Sequence, residues 1–238
     1  MMFQRIHIEL TNRCNFSCVF CPSTLMSRPS QDMEFDLVLK ALDEIAQEQL
    51  TDTIFFHVMG EATLYANLEK VVRETKRRKL KAVLTTNGWD LSLELLERIL
   101  NAGIDHILFS AQTPDEDSFK LRKAPTGFFS YRKKICSLIA KTIEKGSTKV
   151  TLSFLTTPMP FLTLPSRRHH IICDKKALIT SFTEWFEEIV AFMSYNTFKE
   201  KICTNKKLLA ERLASFHMMG WNKLNVTSQL IFETRVLG

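Results

Sequence analysis

Cys14-Asn15-Phe16-Ser17-Cys18-Val19-Phe20-Cys21 gathers three of the chain's six cysteines into eight residues. The other three, Cys136, Cys173 and Cys203, are scattered. Residues 5–10 read as a short β-strand, so the cluster sits on the loop leaving the carboxyl end of strand one. The chain opens Met1-Met2-Phe3-Gln4-Arg5-Ile6-His7, with neither a long apolar stretch nor a small-residue cleavage site. That opening argues against export, and a disulfide framework is out of keeping with a chain that is not exported. Clustered cysteines inside a cell bind metal or react.

Outward from this loop, strands and helices alternate. Leu37/Val38, Ala41/Leu42 and Ile45/Ala46 recur every four residues, with Asp36 as the expected helix cap. Strand two covers residues 53–58 and ends at Met59-Gly60-Glu61. Leu68, Val71, Val72 and Thr75 mark the next helix. Residues 81–85 form strand three, stopped by Asn87-Gly88. Ser92 caps a helix over residues 93–102, and Gly103 is its stop. Strand four spans 105–111. Ile135, Leu138, Ile139 and Ile143 share one face of a helix ending near Gly146, and strand five spans 150–156. A long loop then carries Pro158, Pro160 and Pro165 with Arg167-Arg168-His169-His170. An apolar helix over 175–193, a short helix around 206–216 and a last strand over 226–236 complete the pattern.

Such alternation predicts an α/β fold with a parallel sheet. Six strands are too few for an eight-fold barrel, so the expected architecture is an open, partial (β/α)6 TIM-like barrel. It is read as one core domain over residues 1–238. Hydrophobic residues make up 45% of the chain and charged residues 24%, enough to bury one large core. No apolar run approaches the roughly 20 residues of a membrane span, and the chain reads as cytoplasmic. The net charge of +6 fits a solvated surface. Its densest basic run, Lys76-Arg77-Arg78-Lys79, falls at a helix end where cations favour the dipole. No stacking aromatics interleave it, which argues against a nucleic-acid platform.

The unusual residues all fall at carboxyl ends of strands. The cysteine loop follows strand one, Gly60-Glu61 strand two and Thr86-Asn87-Gly88 strand three, while Ser110 to Gln112 closes strand four. Barrel enzymes build their active sites at that end. Three thiolates suit one [4Fe–4S] cube and leave one iron open, since a closed cluster uses four cysteines. A structural zinc site closes with a fourth Cys or His. His7 and His57 lie on strands one and two without the short spacing such a site needs, so zinc ranks second.

Cys-x3-Cys-x2-Cys with an aromatic before the third cysteine, here Cys14, Cys18, Phe20 and Cys21, resembles the signature of the radical SAM superfamily. The later strand-end motifs follow that family's order over nearly the whole chain. The resemblance implies a [4Fe–4S] cluster held by Cys14, Cys18 and Cys21, whose open iron is chelated by S-adenosylmethionine (SAM). Reductive cleavage of SAM then releases methionine and a 5′-deoxyadenosyl radical that abstracts hydrogen from substrate, the cofactor carrying the hard chemistry.

By the same resemblance Phe20 packs beside the adenine. Met59-Gly60-Glu61 is similar to the Gly-Gly-Glu motif that meets the methionine amino group through backbone and carboxylate, with Met59 replacing the first glycine and Ala62 standing where proline is common. Ser110 and Gln112 look like the polar residues near the ribose or methionine, although the second is often acidic in the family. Arg122 resembles the arginine that pairs with the SAM carboxylate. Asn87 matches a common strand-three ending, and residues 152–156 are similar to the segment flanking the adenine.

Plainer readings stand beside these. Glu61 caps the following helix, Arg122 is a surface cation, and Asn87-Gly88 is a turn. His57 is a hydrogen-bonded core residue, and Cys136 packs in the core. Cys173 and Cys203 are isolated, and the 167–170 segment either meets an acidic substrate or is solvated.

The pattern is especially similar to the branch whose core is followed by a cysteine-rich SPASM or twitch extension, often used in peptide or protein modification. No cysteine follows Cys203. Either the chain lies outside that branch, or it is the N-terminal core of a longer protein. The partners implied are a small-molecule or peptide substrate and an external electron donor such as flavodoxin or ferredoxin. Two rivals remain: a non-catalytic iron–sulfur carrier or sensor, and a zinc-stabilised nucleic-acid-binding module.

Overall fold

The computed structural model describes residues 1–156, 175–194, 222–225 and 230–236. The chain divides into two compact units, Met1–Ser17 with Cys21–Leu108, and Cys18–Phe20 with Phe109–Gly238.

In the first unit β1 (Ile6–His7), β2 (Thr53–Phe56) and β3 (Lys81–Thr86) pair in parallel, with Ile6 opposite Ile54 and Phe56 opposite Leu84. Beyond its exposed first residue β3 is buried throughout, the continuous burial expected of a strand covered on both faces. Helices α1 (Phe35–Gln47), α2 (Leu68–Arg77) and α3 (Leu93–Asn101) separate the strands. Leu68, Val71, Val72 and Thr75 are the buried face of α2, matching the helical spacing of the sequence. Ser92 Oγ accepts from the Leu95 N–H at 3.0 Å and starts α3. Gly103, at φ +91°, ends it.

Three boundaries differ from expectation, each for a non-local reason. Strand β1 is shorter than residues 5–10 because the chain changes partner. Met33 N–H donates to the Leu10 carbonyl at 2.8 Å, and Thr11 forms an antiparallel bridge with Asp32. Strand β2 stops at Phe56, and the Met59 N–H turns to Glu9 Oε1 at 2.9 Å. Asp36 is not the α1 cap. Glu34 holds that position without a side-chain bond, and Asp36 lies in the first turn, where its charge still suits the dipole.

Three of the four cations in the basic run are paired. Lys76 pairs with Asp105 at 2.6 Å, Arg77 with Glu74 at 2.9 Å, and Arg78 with Asp43 at 2.7 Å and Glu74 at 2.8 Å. A cleft of about 660 Å³ lies beside β1, lined by His7, Glu9, Arg28, Asp32 and Leu37 among others.

Strand β4 (His106–Gln112) begins in the first unit and ends in the second. The second unit adds α4 (Glu116–Phe119), α5 (Phe128–Lys145), β5 (Lys149–Thr156), α6 (Lys175–Ala191), β6 (Asn222–Asn225) and β7 (Leu230–Val236). Strand β7 runs parallel to β5, from Val150 opposite Leu230 to Thr156 opposite Val236. Where one strand over 226–236 was expected, β7 is joined by β6, which pairs antiparallel to it.

An aromatic core fills this unit. Trp185 lies 5.5 Å from Phe154 and 6.4 Å from Tyr131, ring centre to ring centre, and its Nε1–H donates to the Pro114 carbonyl at 2.9 Å. Cys136 is fully buried on α5 and its thiol is pushed well up by that burial, so it packs as core. Among the described residues no helix is long and apolar enough to cross a membrane. The expected 206–216 helix, the proline loop with residues 167–170, and Cys173 and Cys203 lie outside the described residues.

Candidate active site

In the first unit the residues at the strand ends are positioned by backbone closeness and one buried carboxylate. A Cβ on Gly60 would stand 2.0 Å from the Thr11 carbonyl oxygen and 2.9 Å from that of Arg13, so only glycine fits. The Glu61 N–H donates to the Arg13 carbonyl at 2.8 Å, so the loop after β2 rests on the start of the cysteine loop.

Glu61 itself is 3% exposed. Its Oε1 accepts from Thr63 N–H at 3.1 Å, Thr63 Oγ1–H at 2.8 Å and Thr86 Oγ1–H at 2.6 Å, and its Oε2 accepts from Asn87 N–H at 2.6 Å. Burial raises its pKa above the ordinary carboxylate value, and these four bonds only partly offset the rise. The capping reading is correct as far as it goes, because the Thr63 bond starts the short 3-10 turn Ala62–Leu64. The same carboxylate also joins the ends of β2 and β3.

Asn87 likewise forms its expected turn, its Oδ1 accepting from Trp89 N–H at 2.9 Å, while Gly88 takes φ +76°. Its Nδ2 has a second task. It donates to Asn15 Oδ1 at 2.6 Å, and Asn15 Nδ2 donates to Asp90 Oδ2 at 2.7 Å. Nearby, the Phe16 N–H donates to Cys14 Sγ at 3.5 Å. Sequence reasoning missed Asn15, Thr86 and Asp90 as partners. The one available signal was that Asn15 follows the first cysteine directly.

In the second unit the middle of the cysteine loop is seated on the turn after β4. The Val19 N–H donates to the Leu121 carbonyl at 2.8 Å, and Phe20 packs against Leu121 and Leu155. Leu155 belongs to the 152–156 segment that the resemblance placed near the adenine. Arg122 is 2% exposed, which overturns its reading as a surface cation. Its Nη1 donates to the Ser110 carbonyl at 2.8 Å, to the Ala111 carbonyl and to Tyr131 Oη at 3.2 Å. The guanidinium carbon also lies 5.2 Å from the centre of the Tyr131 ring.

Ser110 and Gln112 are half-buried at the end of β4. Gln112 adopts φ +59°, an uncommon conformation for a residue with a side chain, and one that clusters at functional positions.

Cys14 is exposed, Cys21 partly buried and Cys18 buried, and among the described residues none of the three is in a disulfide. Among the described residues no three His, Cys, Asp or Glu side chains gather at the spacing of a single metal ion. A four-iron cube holds its cysteine sulfurs farther apart than one ion does. Three thiols on one short loop, one already accepting a backbone N–H, are a donor set that fits such a cube. His57 is half-buried rather than core, and its carbonyl accepts from His7 Nδ1 at 3.0 Å.

Comparison with known proteins agrees with this chemistry. Over 105 residues the chain is 33% identical to a tungsten-containing aldehyde ferredoxin oxidoreductase cofactor-modifying protein of Pyrococcus furiosus, covering 44% of this chain and 30% of that one. Over 148 residues it is 26% identical to the PqqA peptide cyclase of Granulibacter bethesdensis, covering 62% and 38%. The chain thus spans less than half the length of these two relatives.

Crystal structures of Streptococcus suis SuiB match the whole of this chain and about half of theirs. The TM-score is 0.57 with S-adenosylmethionine bound and 0.59 with the precursor peptide SuiA, at 15% identity in both. That likeness carries the fold: parallel strands alternating with helices in a partial barrel. Residues 8–164, more than half of the chain, match the model of the radical SAM superfamily. The chain therefore belongs to the radical SAM superfamily, whose cofactors are a [4Fe–4S] cluster and S-adenosylmethionine.

Proposed function

We propose that this chain is the catalytic core of a radical SAM enzyme that acts on a peptide. Cys14, Cys18 and Cys21 hold the cluster. The observation that carries the reading is the cysteine loop with Phe20 before its third thiol, inside the stretch that matches the family. When bound, the reduced cluster supplies the electron that splits the carbon–sulfur bond of SAM.

The chain's own residues bind and orient. Phe20, braced on Leu121 and Leu155, offers an apolar face to the adenine. Gly60 and Glu61 would meet the methionine amino group, and Asn87 fixes the neighbouring strand end. Ser110 and Gln112 meet the ribose or methionine. Arg122 is a fixed positive charge at the end of β4 that favours the SAM carboxylate.

The peptide class is supported by two relatives, a PqqA peptide cyclase and SuiB bound to a precursor peptide. The electron comes from an external carrier of the flavodoxin or ferredoxin type, and the place of work is the cytoplasm, where thiols stay reduced.

Anaerobic reconstitution, reduction with dithionite and addition of SAM, followed by chromatography for 5′-deoxyadenosine, tests the proposal. About four irons per chain and 5′-deoxyadenosine are expected, and both should be lost when Cys14, Cys18 and Cys21 are replaced together by Ala. A cluster that leaves SAM intact would make the protein a carrier or sensor. Zinc without iron or sulfide would make it a zinc module.

A further inference from the structure

We infer that Glu61 and Asn87 are positioning residues for the cysteine loop, acting on it through Asn15. The inference rests on the reading that this loop holds the cluster. A carboxylate has about four lone-pair sites, and Glu61 already accepts four hydrogen bonds, from Thr63, Thr86 and Asn87. Three of them fall on Oε1 and one on Oε2, all from inside the protein, at a site that is 3% exposed. The carboxylate fixes the Asn87 backbone at the end of β3. That places the Asn87 side chain to donate to Asn15, between the first and second cysteines. Asp90 holds the other side of the Asn15 amide. Both polar ends of Asn15 are therefore claimed from the β3 side, and the rotation of the loop after Cys14 is set.

Each link is a side-chain amide in a fixed orientation. Asn87 Oδ1 takes the Trp89 N–H, which leaves Nδ2 to face Asn15 Oδ1. Asn15 Nδ2 must then point at the Asp90 carboxylate, as it does. Reversing either amide would set oxygen against oxygen or N–H against N–H. The chain of bonds thus has one consistent sense, running from a buried charge to the loop.

The test uses the full chain in metal-free and in reconstituted form. In the metal-free protein, hydrogen exchange is compared for wild type, Asn87→Ala, Asn87→Asp and Asn15→Ala. Loss of one such bond should speed exchange of the amides in residues 13–17 by roughly two- to tenfold, with α2 and α3 unchanged. Asn87→Asp keeps the acceptor for Trp89 but loses the donor to Asn15, so it should behave like Asn87→Ala. Should Asn87→Ala fail to fold, Asn15→Ala reads the same bond from a half-buried loop residue.

In reconstituted protein the same variants should bind less iron, and the EPR signal of the reduced cluster should shift without SAM present. Exchange that stays at the wild-type rate in Asn15→Ala, or an Asn87→Asp variant as protected as wild type, overturns the inference even if iron binds normally. Faster exchange in the variants of a wild type that binds no iron supports the relay and removes the cluster reading instead.

Discussion

Two buried charges stand at strand ends, one in each unit, and they are housed in opposite ways. Glu61 is a carboxylate wrapped by N–H and O–H donors on short loops. Arg122 is a guanidinium resting on strand-end carbonyls, a phenol and an aromatic ring. Each is solvated by dipoles that the fold holds in place, which is how a charge survives burial. The difference lies in what is left behind when the charge goes. Removing Glu61 orphans backbone N–H groups, which seldom go unpaired in folded proteins. Removing Arg122 orphans carbonyls, which tolerate under-satisfaction better. The first unit should therefore be the less forgiving of the two.

The sharpest way to break the comparison is at Gly60. In Gly60→Ala the new methyl meets backbone on the Thr11–Arg13 side, which no rotamer change can relieve. We expect a loss of about 3 kcal/mol or more, read by chemical denaturation, together with loss of iron binding after reconstitution. Near-wild-type stability would mean that the loop after β2 shifts freely, and the first unit would not be rigid.

Glu61→Gln comes next. The amide keeps the shape but sets an NH2 group among donors, at a cost of about 2 kcal/mol. Arg122→Met should cost less, about 1 kcal/mol, because its aliphatic stem is kept and the Ser110 and Ala111 carbonyls can make do with fewer donors. The two variants should also differ in function. Arg122→Met should retain iron yet bind SAM roughly tenfold more weakly, the worth of one charge-assisted contact. Glu61→Gln should lose iron first. Equal denaturation midpoints with the opposite ligand pattern would reverse the two roles.

Much of this was legible in the sequence, for reasons that are local. The cysteine spacing, Phe20, the Ser92 cap, the Gly103 stop and the apolar face of α2 each lie within a few residues of what they determine. What was not legible joins distant parts of the chain. Asn15 and Asn87 lie 72 positions apart, and a single amide pair leaves no periodic trace. Strand β1 ends early because residues 31–33 take over its pairing, which a strand pattern does not announce. Arg122 could be read either as the arginine for the SAM carboxylate or as a surface cation, because nothing in Phe119-Lys120-Leu121-Arg122 shows that Tyr131, on the next helix, will cover it. The aromatic before the third cysteine could be seen from spacing, whereas its seat on Leu121 and Leu155 could not.

The smallest effect distinguishes two carboxylates within the first unit. Burial raises the Glu61 pKa, so the folded chain holds that proton more tightly than the unfolded chain does. Its contribution to stability then falls as pH rises through the folded value. Glu9 is the reverse case. Burial tends to raise its pKa, but the hydrogen bond from Arg28, the Met59 N–H and the charges of Arg28 and His57 together bring it below the ordinary value. Its contribution is present above the unfolded value and is lost as pH falls through the folded one. Glu61→Gln should accordingly cost most in mild acid and less near neutrality. Glu9→Gln should cost most near neutrality and less in acid, by under about 1 kcal/mol for this partly exposed pair. Denaturation of both variants beside wild type, at several pH values from well below the ordinary carboxylate value up to neutrality, reads the two slopes. Slopes of the same sign would show that the two carboxylates share one environment, and the division between a carboxylate held by neutral donors and one held by an arginine would fail.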